Sequence, residues 1–81
     1  MKATVKLFAG ARELAGQEQI EVELPAEATV AQLRAALLAD YPALGPLLPH
    51  ALFAINGDYA TDQSDIPDSA EIACIPPVSG G

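Results

Sequence analysis

Glu18-Gln19-Ile20-Glu21-Val22-Glu23-Leu24-Pro25-Ala26-Glu27-Ala28-Thr29-Val30-Ala31-Gln32 holds the change of hydrophobic period on which the fold turns. Residues 18–24 alternate, with Ile20, Val22 and Leu24 toward a core and Glu21 and Glu23 toward water, the pattern of a half-buried strand. Pro25 stops that strand. Thr29-Val30-Ala31-Gln32 is a capping-box sequence, with Thr29 at the N-cap and Gln32 three residues later. A helix is predicted over 30–40, with Val30, Leu33 and Leu37 as its apolar stripe and Leu38 beside it. Alanines fill much of the remainder, in keeping with their helix propensity. Tyr41-Pro42 ends the helix, because the residue before proline avoids helical angles.

Outward from this stretch, residues 2–9 alternate as well. Ala3, Val5 and Leu7 point one way, and Thr4, Lys6 and Phe8 the other. Gly10 and Gly16 bracket a turn of helix over 11–15, and the two flanking strands suggest an antiparallel hairpin. Residues 42–50, with three prolines and a glycine, read as a loop. Residues 51–56 read as a third strand, Asn56-Gly57 as a tight turn, and 59–61 as a short return strand. Residues 71–75 form the last strand, with Ile72 and Cys74 on one face and Ala73 and Ile75 on the other. If that strand pairs in parallel with the first, a single mixed sheet results with one main helix across one face. The expected class is α+β, a β-grasp (ubiquitin-like) arrangement. A folded domain is expected over 1–75 and a flexible, extended C-terminal tail over 76–81.

The chain has 81 residues, of which 51% are hydrophobic, enough for one small core. A single cysteine, Cys74, excludes an internal disulfide, and a single histidine, His50, argues against a structural zinc site. Net charge is −7. All four cations (Lys2, Lys6, Arg12, Arg34) lie in the first half, and Lys and Arg are absent from Asp40 onward. Nucleic acid is therefore excluded as a partner, because phosphate binding needs a basic patch. Basic protein surfaces suit such a chain. The start is not a signal peptide, and no stretch approaches the roughly 20 apolar residues of a membrane span. A cytoplasmic location is expected.

Inside the domain, reactive constellations are missing. His50 reads as a solvated loop histidine and Cys74 as a buried structural thiol. Asp62, Asp65 and Asp68 recur every three residues but lack the glycine and closing glutamate of a calcium loop, and read as a solvated acidic loop. No metal site and no bound cofactor are expected.

What remains is Ile75-Pro76-Pro77-Val78-Ser79-Gly80-Gly81. Pro76 and Pro77 favour an extended polyproline conformation and give the tail a set direction. Val78 offers an apolar anchor. Gly80 and Gly81 can thread a narrow channel. Two terminal glycines arise by chance in about 0.5% of chains, from a usage near 7%. A terminal carboxylate becomes an electrophile on adenylation, and glycine leaves its carbon open to a sulfur nucleophile.

The stretch from Leu7 through Phe8-Ala9-Gly10-Ala11-Arg12-Glu13-Leu14-Ala15-Gly16 resembles the opening of the molybdopterin synthase small subunit family. Pro76-Pro77-Val78-Ser79-Gly80-Gly81 is similar to its C-terminus, and Ala54-Ile55-Asn56 to its central strand and turn. The chain departs at Asp68-Ser69-Ala70-Glu71, where the family usually has an Asp-Gly-Asp-Glu type turn. The resemblance implies a sulfur carrier, the small subunit of a sulfurtransferase. Gly81 would be adenylated by an E1-like adenylyltransferase that consumes ATP, then converted by a persulfide donor system to a thiocarboxylate, with Gly80 beside it. The tail would enter the large synthase subunit, in a heterotetramer, and donate sulfur to cyclic pyranopterin monophosphate to form the molybdopterin dithiolene. Docking is expected to use Phe8 and Ile75, outward on the first and last strands. The resemblance adds Tyr59 and the tail residues Pro76, Pro77, Val78 and Ser79. Three other readings remain: a carrier of the thiamine type, against which the Phe-Ala-Gly-Ala-Arg-Glu-Leu opening argues; a protein modifier that forms isopeptide bonds; and a non-catalytic interaction domain.

Overall fold

The computed structural model describes residues 1–77. The period change at Pro25 separates strand β2 (Gln19–Glu23) from helix α2 (Val30–Asp40). The capping box forms as written: the Gln32 backbone N–H donates to Thr29 Oγ1 at 3.4 Å, and the Thr29 N–H donates to Gln32 Oε1 at 2.9 Å. Two otherwise orphaned helix donors are thus satisfied, and the helix begins at Val30.

The remaining strands are β1 (Lys2–Leu7), β3 (Leu52–Ile55), β4 (Asp58–Ala60) and β5 (Glu71–Ile75). The five form one sheet in the order β2-β1-β5-β3-β4. β1 and β5 are parallel, and the other pairings are antiparallel. This is the β-grasp arrangement. Its central strand, β5, is the last of the described chain, so the tail leaves from the middle of the sheet.

The core lies between the sheet and α2. Val30, Leu33 and Leu37 are fully buried with Val5, Leu7, Ile20, Val22, Phe53 and Ile72. Complete burial of each large aliphatic contributes about 1.5–3 kcal/mol. Leu38 does not belong to this stripe, being 51% exposed. One residue past Leu37 it is turned about 100° around the helix, away from the sheet.

Beyond one-residue shifts at the ends of β2, β3 and β4, three elements differ from the sequence expectation. β1 ends at Leu7 rather than residue 9, because Phe8 becomes the N-cap of a full helix α1 (Ala9–Ala15). The expected single turn of helix is two turns, closed by Gly16 at φ +70, a left-handed cap glycine. The loop over 42–50 contains two 3-10 turns, Pro42–Leu44 and Leu48–His50, which bury Leu44 and Leu48. Proline is tolerated there because the first turn needs no N–H donor.

Asn56 (φ +51) and Gly57 (φ +88) make the β3–β4 turn, the left-handed pair a type I′ hairpin requires. Ser69, in the turn where the chain departs from the resembled family, has φ +61. The left-handed backbone that glycine accepts without strain is thus kept although the glycine is not. Ser69→Gly is expected to stabilise the domain by about 0.5–1 kcal/mol, part of the relieved strain being offset by a freer unfolded chain. A thermal melt checks this; a lower melting temperature would show that the serine hydroxyl matters more than its backbone.

Candidate functional site

The sheet has one face under α2 and one open face. On the open face the register sets side chains in rows. One row runs Gln19, Lys6, Ala73, Ala54, Tyr59. The next pairs Leu52 with Ile75, and one step beyond Leu7↔Cys74 sets Phe8 beside Ile75. On the other side lie Thr4, Glu21 and Glu71. The face is therefore divided. Its half toward the end of β5 is apolar, with Phe8 47%, Leu52 53% and Tyr59 73% exposed. Its other half is charged, with ion pairs Lys6–Glu71 at 3.1 Å and Lys2–Glu21 at 4.0 Å. These pairs are mostly exposed and add little stability.

An apolar patch on an exposed sheet face is a candidate interaction surface. Sequence reasoning placed Phe8, Ile75 and Tyr59 there, and the structure brings all three to the one face. It did not single out Leu52. The alternation of Leu52 and Ala54 against buried Phe53 was the available signal.

At the root of the tail, Phe8, Ala9, Gly10, Leu47, Ile75, Pro76 and Pro77 line a groove of about 580 Å³. Pro76 is half-buried and Pro77 exposed. Val78, Ser79, Gly80 and Gly81 lie outside the described residues. A larger hollow, about 700 Å³, surrounds Met1, Glu27 and residues 65–68. It lies at the opposite end of β1, a strand's length from the tail.

Cys74 is fully buried and its thiol is pushed up to about 11 by desolvation, only partly offset by the charge of Arg34. Such a thiol is neither exposed nor ionised at neutral pH, so it cannot act as a sulfur relay. His50 is exposed at the end of a 3-10 turn. Asp62 is not merely solvated, since it accepts from Arg34 Nη2 at 2.9 Å. Among the described residues no group of three or more His, Cys, Asp or Glu could hold a metal. No helix among them is long and apolar enough to cross a membrane.

Residues 5–81 match the ThiS family. The chain belongs to that family. Among relatives of this ThiS-family chain, the molybdopterin synthase sulfur carrier subunit of Chlamydomonas reinhardtii is 37% identical, with the whole of both chains covered. The protein of the same name from Arabidopsis thaliana is 35% identical over 95% of this chain and 80% of its own. Among solved structures, small archaeal modifier protein 1 of Haloferax volcanii superposes with a TM-score of 0.84, at 34% identity and over 100% of each chain.

Proposed function

We propose that the chain is the sulfur carrier subunit of molybdopterin synthase. The body over 1–75 docks, and the tail over 76–81 delivers. The Gly81 carboxylate attacks the α-phosphorus of ATP on an E1-like adenylyltransferase, and pyrophosphate leaves. A persulfide sulfur then attacks the acyl carbon and AMP leaves. Reductive cleavage of the sulfur–sulfur bond by a thiol of the donor system leaves the thiocarboxylate. In the large synthase subunit, within a heterotetramer, that sulfur passes to cyclic pyranopterin monophosphate, and two such transfers complete the dithiolene. ATP is consumed by the activating enzyme and no cofactor is held by the carrier, which works in the cytoplasm.

One observation carries this reading: the central strand β5 releases Pro76-Pro77 beside the apolar half of the open face, and the sequence beyond it ends in Gly80-Gly81. A surface that grips the face has the tail directed into it, which converts a bimolecular encounter into a positioned one. Phe8, Leu52, Tyr59 and Ile75 supply the grip, Pro76 and Pro77 the direction, Val78 and Ser79 the reach, and Gly80 and Gly81 the open acyl carbon. The carrier makes the sulfurtransferase active without a catalytic site of its own.

Incubation with the cognate activating enzyme, ATP and a sulfur donor is expected to raise the intact mass by about 16 Da, the exchange of oxygen for sulfur at an activated acyl group. An unchanged mass with a demonstrably active enzyme would sink the carrier reading. Likeness to the archaeal modifier protein favours a second reading, in which Gly81 is joined to target lysines. Ladders of high-mass conjugates on denaturing gels are its signature.

A further inference from the structure

The chain has two lysines, Lys2 and Lys6, and both stand on the open face of β1. Their surroundings differ. Lys6 Nζ donates to Glu71 Oε1 at 3.1 Å, with the two side chains 53% and 75% exposed. Lys2 stands 4.0 Å from Glu21. Direct proton transfer between a nucleophile and its base needs about 2.6–3.2 Å, so of the two pairs Lys6–Glu71 is the one set for it. The α-amine of Met1 already donates to the Leu24 carbonyl. An exposed ion pair adds little stability, so folding alone does not account for the Lys6–Glu71 geometry.

Lys6 also borders two hollows. One, of about 230 Å³, is floored by Ala54 and Ala73, which face each other across β3 and β5, and Gly57 lies on its wall. The other, of about 270 Å³, lies toward β2, with Arg12 and Glu18 on its rim. Each is below the roughly 300–1,000 Å³ of small-molecule sites. A floor of alanines suits an approaching main chain that has no side chains of its own, which is what glycine offers.

The geometry points to Lys6 as an acylation site, whose ε-amine takes the activated Gly81 acyl group of a second copy, with Glu71 as the base. This rests on the adenylation of Gly81, common to the carrier and modifier readings, and names the amine that the activated tail meets when sulfur is withheld. The neutral Lys6 Nζ attacks the acyl carbon of the acyl-adenylate. A carbon–nitrogen bond forms, the bond from that carbon to the phosphate oxygen breaks, and AMP leaves. The proton lost by nitrogen passes to Glu71. The product is an isopeptide bond between Gly81 of one copy and Lys6 of the other. The glycines lie in the alanine-floored hollow, and the phosphate lies toward Arg12, whose side chain is 55% exposed beside Glu18.

Topology and charge select a second copy. Lys6 lies beside Ala73, and β5 runs parallel to β1, so Pro76-Pro77 carry the chain's own tail past Lys6 and away from it. Two bodies of charge −7 repel each other. Residues 76–81 hold no ionisable side chain, and six residues span at most about 20 Å. That is about two screening lengths at physiological salt, so the tail reaches Lys6 without the bodies touching.

The test incubates the full chain with the purified activating enzyme and ATP, with and without the sulfur donor. Without the donor, a product of twice the chain mass less one water, about 18 Da, is expected from acyl transfer to an amine. Digestion after glutamate leaves residues 72–81 attached at Lys6, which fragment masses locate. With the donor, the chain gains about 16 Da and the conjugate falls at least about tenfold. Lys6→Arg is expected to lose the conjugate at least about tenfold while Lys2→Arg keeps it within about twofold. Both should melt within about 2–4 °C of the parent. Glu71→Gln should slow conjugation at least about tenfold and still gain sulfur mass; conjugation at the parent rate removes Glu71 as the base. An amide found on Lys2 or on the Met1 α-amine, or undiminished in Lys6→Arg, overturns the proposal. So does a parent that gains sulfur mass yet joins no second copy when the donor is left out, and the carrier reading then stands. A parent that neither gains mass nor forms conjugate with a demonstrably active enzyme overturns the activation of Gly81 itself.

Discussion

A chain ending at Gly80 is expected to fold as the parent does and to carry no sulfur. The two halves of that result have separate causes. The buried hydrophobic core among the described residues runs from Ala3 to Cys74, so loss of one terminal residue removes none of it. The melting temperature should stay within about 2–4 °C, as for a surface change without a named structural partner. Loading is different, because the reacting atom belongs to the last residue. Removing Gly81 draws the carboxylate back by about 3.5 Å along an extended chain. A misplacement of only about 1 Å can cost a hundredfold in rate, so adenylation should fall at least about a thousandfold. It also sets Ser79 next to the new terminal residue and puts a side chain where glycine had kept the approach clear. Intact-mass spectrometry after incubation with the activating enzyme and sulfur donor reads the outcome directly. Retained loading would move the acyl chemistry away from the terminus, and unfolding of the truncated chain would make the tail structural.

Much of the fold was legible because its decisive signals are local. The Thr29–Gln32 capping box set the start of α2 without any tertiary help. Asn56-Gly57 announced a turn that needs two left-handed residues. The alternation in 71–75 gave β5 its two faces, and the parallel pairing with β1 followed from the β-grasp order. The parts that were missed depend on what lies across from a residue. Leu38 has the composition of the apolar stripe, yet its position around α2 turns it to solvent at 51% exposure. Leu52 lies outward only because Phe53 must lie inward, a choice fixed by the whole sheet. Ala54 faces Ala73 only through the β3–β5 register. The tail reading rests on covalent structure alone, since Pro76 and Pro77 fix φ and the terminal glycines free it, and residues 78–81 lie outside the described residues. Charge counting placed Arg34 among four cations and Asp62 in a solvated acidic loop. Their pairing joins residues 28 positions apart, which no local pattern displays.

That pairing leads to the largest expected loss of stability from a single change of charge, Arg34→Ala. The Arg34 side chain is only 24% exposed. Its Nη1 donates to the carbonyls of Leu48 and of Ala51, the latter at 2.9 Å, and its Nη2 reaches Asp62 at 2.9 Å. The guanidinium lies 5.0 Å from the centroid of the buried Phe53 ring. One side chain thus ties α2 to the second 3-10 turn, to the start of β3 and to the loop before β5. The ion pair itself counts for little, because the Asp62 side chain is half exposed and solvent screens it. The carbonyls matter more. Removing the donor leaves the part-buried Ala51 carbonyl unpaired, at about 1–3 kcal/mol when water cannot replace it, while the Leu48 carbonyl keeps the Ala51 N–H at 3.3 Å. Lost packing on Phe53 adds a cation–π contribution of about 0.5–1 kcal/mol. A total near 3 kcal/mol is a large share of what a small domain possesses. It should lower the melting temperature by about 15 °C, at 4–8 °C per kcal/mol for a domain of this size. Arg34→Lys should recover less than half, because a single ammonium cannot serve both carbonyls and Asp62 in one planar fork. Asp62→Asn should cost under about 1 kcal/mol. If Asp62→Asn proved as damaging as Arg34→Ala, the ion pair rather than the carbonyl bonds would be the tie, and the weighting of the two would have to be reversed.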